Sequence, residues 1–449
     1  MPNPARVLVA EVAKFGARGL KGSLLDQGCE VAAVGVLAEI EPRLAGERPD
    51  VLVVDATTLP SRDPASVAAL RATARGAGVP LIVVGRAGDR PELSGGEPTG
   101  LEDFVTKPLQ PAELAARVHA LRRLGVMHAE LERRVETARR FGFSSVLEPS
   151  PAKSPERLRV LAVEPGDSDL VALRAALGRS GWVEVAAGYD AREALLNGRH
   201  DAAIVFDEGD LGEALEICRA IRQAPNLFHF PVLLVAGEVV AADPTEPIRA
   251  GVNDVLARPI AAADLRERVI ALVRLERFRS WLLDAYRQGL GLIVTDGLTG
   301  LYRFGFLHEH LARTLEDLRG SAGPLAIGTV RIPDLREINA RAGYAAGDRV
   351  LRQVGAVIGR LVRSEDLAAR VRGATFAILM PDTTLAAARL VCRRIAAVLA
   401  STDVGVGEDG AGAVRVVTSC AIASPADRPE TLIERAADTS DLGEPVEAA

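Results

Sequence analysis

Three residues near the start of the chain have the types and settings that phosphoryl transfer to a carboxylate needs. Asp55 ends the apolar run DVLVVD, Glu11 follows VLVA, and Lys107 stands just before Pro108. A carboxylate at a strand end can accept the phosphoryl group, a neighbouring acid helps to hold Mg²⁺, and a lysine pairs with the phosphoryl oxygens. These residues point to a phosphoacceptor at Asp55, support from Glu11 and Lys107, and a candidate Mg²⁺ site at Glu11 and Asp55. The competing reading makes Asp55 a turn or cap aspartate and Lys107 a solvated side chain.

Such a site needs a parallel sheet with helices on both faces, and the surrounding sequence supplies one. Short apolar runs (VLVA, VAAVGV, DVLVVD, PLIVVG, DFVTKP) alternate with helix-period stretches through residues 5–122. The runs RVLAVEP, VEVAAG, DAAIVFD, PVLLVAG and NDVLARP then repeat the series in order, an internal duplication at about a domain's length. Between the copies, a charged helical stretch and the Ser/Pro-rich SSVLEPSPAKSPE read as a linker. The stretch 269–293 has helical periodicity and leads into a third unit of mixed strand and helix patterns.

With 449 residues, 48% apolar and 25% charged, the chain fits several globular cores. A net charge of -6 gives no global field for a nucleic-acid polymer. The four cysteines show no CxxC pair and read as reduced core thiols rather than zinc ligands. No signal peptide or membrane-spanning stretch is visible, so the expectation is a cytoplasmic protein without membrane insertion.

Residues 5–122 resemble a response-regulator receiver domain through Asp55 and the Lys107-Pro108 pair. Val12 stands where the family's second acid is usual, and Gly85 where its switch hydroxyl is usual. In the second copy Pro165 follows Glu164, Phe206 takes the acceptor register with Asp207 one place late, Ala236 takes the hydroxyl site, and Arg258 replaces the lysine. A slip of one residue turns a strand side chain to the other face. The second copy reads as a pseudo-receiver for packing, dimerisation or partner docking.

The strings DGLTGLYRF, REINARAGYAAGDRVL and RSEDLAARVRGATFAILMPDT resemble the GGDEF, or diguanylate cyclase, family over most of residues 292–442. That chemistry joins two GTP molecules with the help of divalent metal held by carboxylates. The matching positions are Arg331, Ala374 and Thr375, and the hairpin reads Arg372-Gly373-Ala374-Thr375-Phe376. The resulting expectation is a degenerate domain with no catalytic residue, no metal there and no enzymatic activity. Asn339 and Asp348 match the family's guanine-reading pair and are candidate guanine ligands. Helix capping is the bland alternative for both.

Arg363 and Asp366 form an RxxD, with five residues between Asp366 and Arg372, the offset of the family's inhibitory product site. The resemblance implies cyclic di-GMP binding at Arg363 and Asp366, with Arg394 as a further arginine. A guanidinium fork can hold phosphate or guanine oxygens while a carboxylate accepts from guanine nitrogens. The alternative is a surface ion pair worth about 0–1 kcal/mol.

The resulting fold class is α/β: two tandem doubly wound, flavodoxin-like (CheY-like) receivers, then an α+β GGDEF domain. The expected domains are a receiver at 1–122, linker at 123–156, degenerate receiver at 157–274, connector helix at 275–291 and GGDEF domain at 292–449. Two receivers before a GGDEF domain form a PleD-type architecture. A retained RxxD beside an altered hairpin resembles the PopA-like effectors. This resemblance implies a cyclic di-GMP effector, a homodimer recruited to the cell pole, that brings protein partners such as a protease adaptor together in cell-cycle control. A histidine kinase or phosphotransferase would act on Asp55. The alternatives are a residual cyclase or GTP-binding regulator, and a scaffold gated by phosphorylation.

Overall fold

The structure is a computed structural model that describes residues 4–11, 19–59, 64–86, 102–107, 111–142, 157–178, 181–224, 227, 229–242, 245–288, 294–319, 323–402 and 414–438. Val12 and Pro108 lie outside the described residues. The chain forms two compact units. One takes the described parts of Pro4–Gly125 and Pro149–Trp281, the other those of Val126–Glu148 and Leu282–Ala449.

The first unit holds two parallel sheets. Strands β1 (Arg6–Ala10), β2 (Glu30–Val34), β3 (Val51–Asp55), β4 (Leu81–Gly85) and β5 (Glu102–Thr106) lie in the order β2-β1-β3-β4-β5. That is the flavodoxin-like order. β3 and β4 are buried along their whole length, which explains why their sequences are continuous aliphatic runs rather than alternating ones. Strands β6 (Leu158–Val163), β7 (Gly181–Ala186), β8 (Ala202–Phe206), β9 (Val232–Ala236) and β10 (Asp254–Ala257) repeat the arrangement as β7-β6-β8-β9-β10.

The duplication extends to packing. Arg117 binds Asp103 at 2.8 Å and Asp254 at 3.1 Å, while Arg268 binds Asp254 at 2.8 Å. Each copy thus offers an aspartate from its last strand and an arginine from the helix that follows, and Arg117 crosses between copies. Burial alone would lower the Arg268 pKa, but Asp254 and Asp264 reverse that and leave it raised.

The second unit carries a mixed sheet. β11 (Tyr302–Arg303), β12 (Leu325–Arg331), β13 (Leu367–Arg372), β14 (Thr375–Pro381) and β15 (Val417–Ile422) are ordered β11-β13-β14-β12-β15. All pairings are antiparallel except β11 with β13. Helices Tyr344–Leu361 and Leu385–Ser401 supply one core cluster, and helices Phe304–Arg319 and Pro429–Ala437 the other.

Both helical connections are longer than the periodicity indicates. Residues 123–140 continue the helix that starts at Pro111 and ends at Arg140. Past residue 126 this helix contributes to the second unit, where Ala138 is buried among core residues of the mixed sheet. The helix Ala262–Gln288 likewise runs unbroken from the second receiver copy into the segment read as a connector.

Candidate functional site

In the first copy, Asp55 and Lys107 come from the carboxyl ends of strands flanking β4. The Lys107 backbone N–H donates to Gly85 O at 2.7 Å, which carries the chain one step past β5 and sets the side chain. Lys107 Nζ then reaches Asp55 Oδ2 at 2.6 Å. Asp55 Oδ1 accepts from the Thr57 N–H at 2.9 Å and the Thr57 hydroxyl at 2.8 Å. Asp55 does cap a short turn, so one side chain both caps that turn and meets Lys107. Gly85 places no hydroxyl beside it.

Glu11 is otherwise engaged. Its two oxygens accept the N–H groups of Leu20 at 2.8 Å and Lys21 at 3.2 Å, serving the helix Leu20–Leu25 whose own N-cap, Gly19, has no side chain to offer. A Cβ at Gly19 would stand 2.6 Å from Glu11 Oε2, so the glycine is needed for this approach. These backbone bonds occupy both Glu11 oxygens, and among the described residues no group of three or more His, Cys, Asp or Glu side chains stands where it could hold a metal ion.

In the second copy Phe206 pairs with Val235 as Asp55 pairs with Val84, so the acceptor register is filled by a buried ring. Asp207 Oδ1 accepts from Gly209 N at 2.9 Å. Arg258 donates to Asp169 Oδ2 at 2.6 Å and to the Asp207 carbonyl at 2.6 Å. Its hydrogen bond to Asp169 raises its pKa further.

In the mixed-sheet unit, the helix Tyr344–Leu361 ends directly before the Arg363–Asp366 turn. Asp366 N donates to Arg363 O at 3.1 Å, and Arg363 N to Asp366 Oδ2 at 2.8 Å. Asp366 is only 5% exposed, and its Oδ1 has no hydrogen-bond partner among the described residues. Burial pushes its carboxyl up to about 7, against the lowering effect of the Arg363 N–H. Arg363 is exposed. Arg394, on the helix Leu385–Ser401, donates to Leu361 O at 2.5 Å, which brings it to the same helix end. No ion pair joins Arg363 to Asp366 among the described residues; the aspartate's bonded oxygen is spent on backbone.

The capping alternatives for the guanine pair do not hold. The helix Tyr344–Leu361 begins at Tyr344 after Gly343 at φ +79°, so Asp348 lies inside it. Asn339 lies within the helix Leu335–Ala342, and its buried Oδ1 has no partner among the described residues. That oxygen lies 1.9 Å from where a Cβ at Gly347 would stand, so the glycine gives the Asn339 side chain its room. Asn339 thus packs against Gly347, the residue before Asp348.

Register also gathers the altered positions. Arg331 pairs with Thr375, and Ile332 N donates to Ala374 O at 3.1 Å, with Gly373 at φ +50° turning the hairpin. Arg331 and Arg372 are exposed. A guanidinium and a methyl offer no oxygen to a hard divalent cation, and the Thr375 hydroxyl offers only a neutral one. Sequence reading missed one participant at the RxxD turn, Arg134, whose guanidinium bonds the Ser364 and Glu365 carbonyls. Its only sequence signal was membership of a charged helix.

Residues 293–440 match the model described as "Diguanylate cyclase, GGDEF domain". Over its whole length the chain is similar to Response regulator PleD of Caulobacter vibrioides, 27% identical over 441 residues, covering 96% of this chain and 95% of that protein. Diguanylate cyclase DgcP of Pseudomonas aeruginosa is 32% identical over 138 residues, 30% of this chain and 20% of that protein. Among solved structures, the GGDEF domain of DgcB from Caulobacter crescentus in complex with c-di-GMP is 25% identical with a TM-score of 0.31, covering 32% of this chain and 83% of that one.

The full-length similarity to PleD, the family match and the observed sheet orders bear out the receiver-receiver-GGDEF fold class. The matches correct the expectation that the chain is not an enzyme. The family that residues 293–440 match is named for cyclase activity, and the relatives include proteins named as diguanylate cyclases. Substitution at three positions was too narrow a basis for denying activity to the whole domain. Among the described residues, no helix is long and apolar enough to cross a membrane.

Proposed function

We propose that this chain is a response-regulator-like signalling protein that binds cyclic di-GMP at Arg363, Asp366 and Arg394, and that the bound state governs which protein partners it engages. The carrying observation is the buried, unpartnered Asp366 Oδ1 beside an exposed arginine. An acceptor without a donor inside a protein is costly, and a guanine edge offers N–H donors. The planar Arg363 fork suits a phosphate or a guanine carbonyl, and Arg394 stands at the same helix end. Phosphorylation of Asp55 by a histidine kinase or phosphotransferase, with Mg²⁺, is the second input. Recruitment of a protease adaptor at the cell pole by a homodimer is the output that this reading carries forward.

Calorimetric titration of the full chain with cyclic di-GMP tests the site. Saturable heat is expected from the wild type and none from Arg363→Ala; a silent wild type, or an unchanged Arg363→Ala, overturns it.

A second reading, supported by the similarity to diguanylate cyclases and by the orphaned Asn339 Oδ1, is that the chain binds GTP through Asn339 and Asp348 and forms cyclic di-GMP. Chromatography of nucleotides after incubation with GTP and Mg²⁺ or Mn²⁺ checks it. Product that disappears in Asp348→Ala supports it, and absence of product rejects it.

A further inference from the structure

The long helix Pro111–Arg140 buries charge to a degree that charged side chains reach only when paired. Glu130 is 0% exposed and Arg134 3%, and His310 of the helix Phe304–Arg319 is 0% exposed. Glu130 Oε1 accepts from Arg134 Nε at 2.9 Å and His310 Nε2 at 2.8 Å, and Oε2 accepts from Arg133 Nη1 at 2.7 Å. The Thr137 hydroxyl lies 2.8 Å from the Arg133 carbonyl and 3.2 Å from His310 Nδ1. One carboxylate is set among two guanidiniums and an imidazole.

Arg134 has two further arms. Nη1 donates to Ser364 O at 3.2 Å and Nη2 to Glu365 O at 2.7 Å, and the guanidinium lies 5.7 Å from the centre of the Tyr302 ring. Ser364 and Glu365 are the two residues between Arg363 and Asp366. A fork bonded at Nε and at both terminal nitrogens cannot rotate without breaking several bonds at once.

We infer that Arg134 is a positioning residue for the cyclic dinucleotide site: it fixes the two carbonyls inside the Arg363–Asp366 turn, and the Glu130–His310 pair fixes Arg134. This rests on reading that turn as the ligand site. Ligand-contacting side chains must be held to within about 0.5 Å by their supporting shell. A four-residue turn does not hold itself so closely. The support comes from a helix that starts immediately after the first receiver's last strand, so the affinity of a C-terminal site depends on an N-terminal element. Linkage makes the dependence mutual: ligand that prefers the held turn also stabilises the helix segment that holds it.

The test uses the full chain and cyclic di-GMP. Arg134→Lys keeps a positive charge beside Glu130 but cannot span a carboxylate and two carbonyls, and should weaken binding at least about tenfold while thermal unfolding stays cooperative. Affinity within about twofold of wild type, with Arg363→Ala still abolishing binding, overturns this inference alone. A wild type that binds nothing overturns the site and the inference together. Amide hydrogen exchange on the wild type gives a reading that does not depend on how the variant folds. Saturating cyclic di-GMP should slow exchange across residues 130–137; exchange there that ignores the ligand overturns the proposal.

Discussion

Asp55 and Asp366 are both buried carboxylates placed where a regular element ends, and the protein treats them oppositely. Asp55 has both oxygens engaged, one by Lys107 and one by Thr57. Asp366 has one oxygen bonded to backbone and the other to nothing. An unsatisfied carboxylate is a cost carried by the fold, which a docking donor would relieve. A satisfied one carries no such cost. Glu130 sharpens the contrast from within the same unit: it is buried more deeply than Asp366 yet surrounded by cations.

The largest expected effect comes from removing the unsatisfied charge. With the Asp366 carboxyl raised from 3.8 to about 7, the unfolded chain releases that proton at lower pH than the folded one. Stability from this group is intact below about pH 4 and is lost as pH rises through 7, by up to about 4 kcal/mol. Asp366→Asn should therefore be more stable than wild type at pH 8, equal to it near pH 4, and unable to bind cyclic di-GMP. Urea unfolding at the two pH values measures it; a variant less stable than wild type at pH 8 would break the contrast.

Glu130 should show the opposite sign. Burial pushes its carboxyl up, but His310, Arg134 and Arg133 outweigh burial and bring it from 4.5 down to about 2. Its contribution is present above about pH 4.5 and is lost as pH falls toward 2, worth about 3 kcal/mol. Glu130→Gln should flatten the acid limb of the stability curve and cost most near neutral pH, where it strands buried cations. An acid limb unchanged in the variant would show that some other carboxylate sets it.

How much of this the sequence exposed depended on the range of the interactions. The parallel sheets were legible because β3, β4, β8 and β9 are unbroken aliphatic runs, and Phe206 could be placed in the Asp55 register by counting along two similar strings. Asn339, Asp348, Arg363, Asp366 and Arg394 were singled out through family motifs, and they stand on or beside the helices Leu335–Ala342, Tyr344–Leu361 and Leu385–Ser401. Arg134 was not legible, since its partners lie 230 and 231 residues away and a charged helix normally faces water. The diversion of Glu11 to a helix N-terminus was equally hidden, because it depends on Gly19 allowing close approach. Enzymatic capacity was misjudged from three side chains, where whole-domain similarity pointed the other way.

The smallest effect separates the two receiver copies. They share strand order and packing aspartates, but where the first sets Lys107 against Asp55 the second sets Arg258 against Asp169 and the Asp207 carbonyl. A small phosphodonor such as acetyl phosphate with Mg²⁺ should label one site per chain, with all label lost in Asp55→Asn and all retained in Arg258→Lys. Arg258→Lys keeps the charge but cannot bridge a carboxylate and a carbonyl together, and should cost about 1 kcal/mol in urea unfolding. Label persisting in Asp55→Asn would mean that Asp207 accepts phosphate despite its late register, and that the second copy's own guanidinium does not close its site.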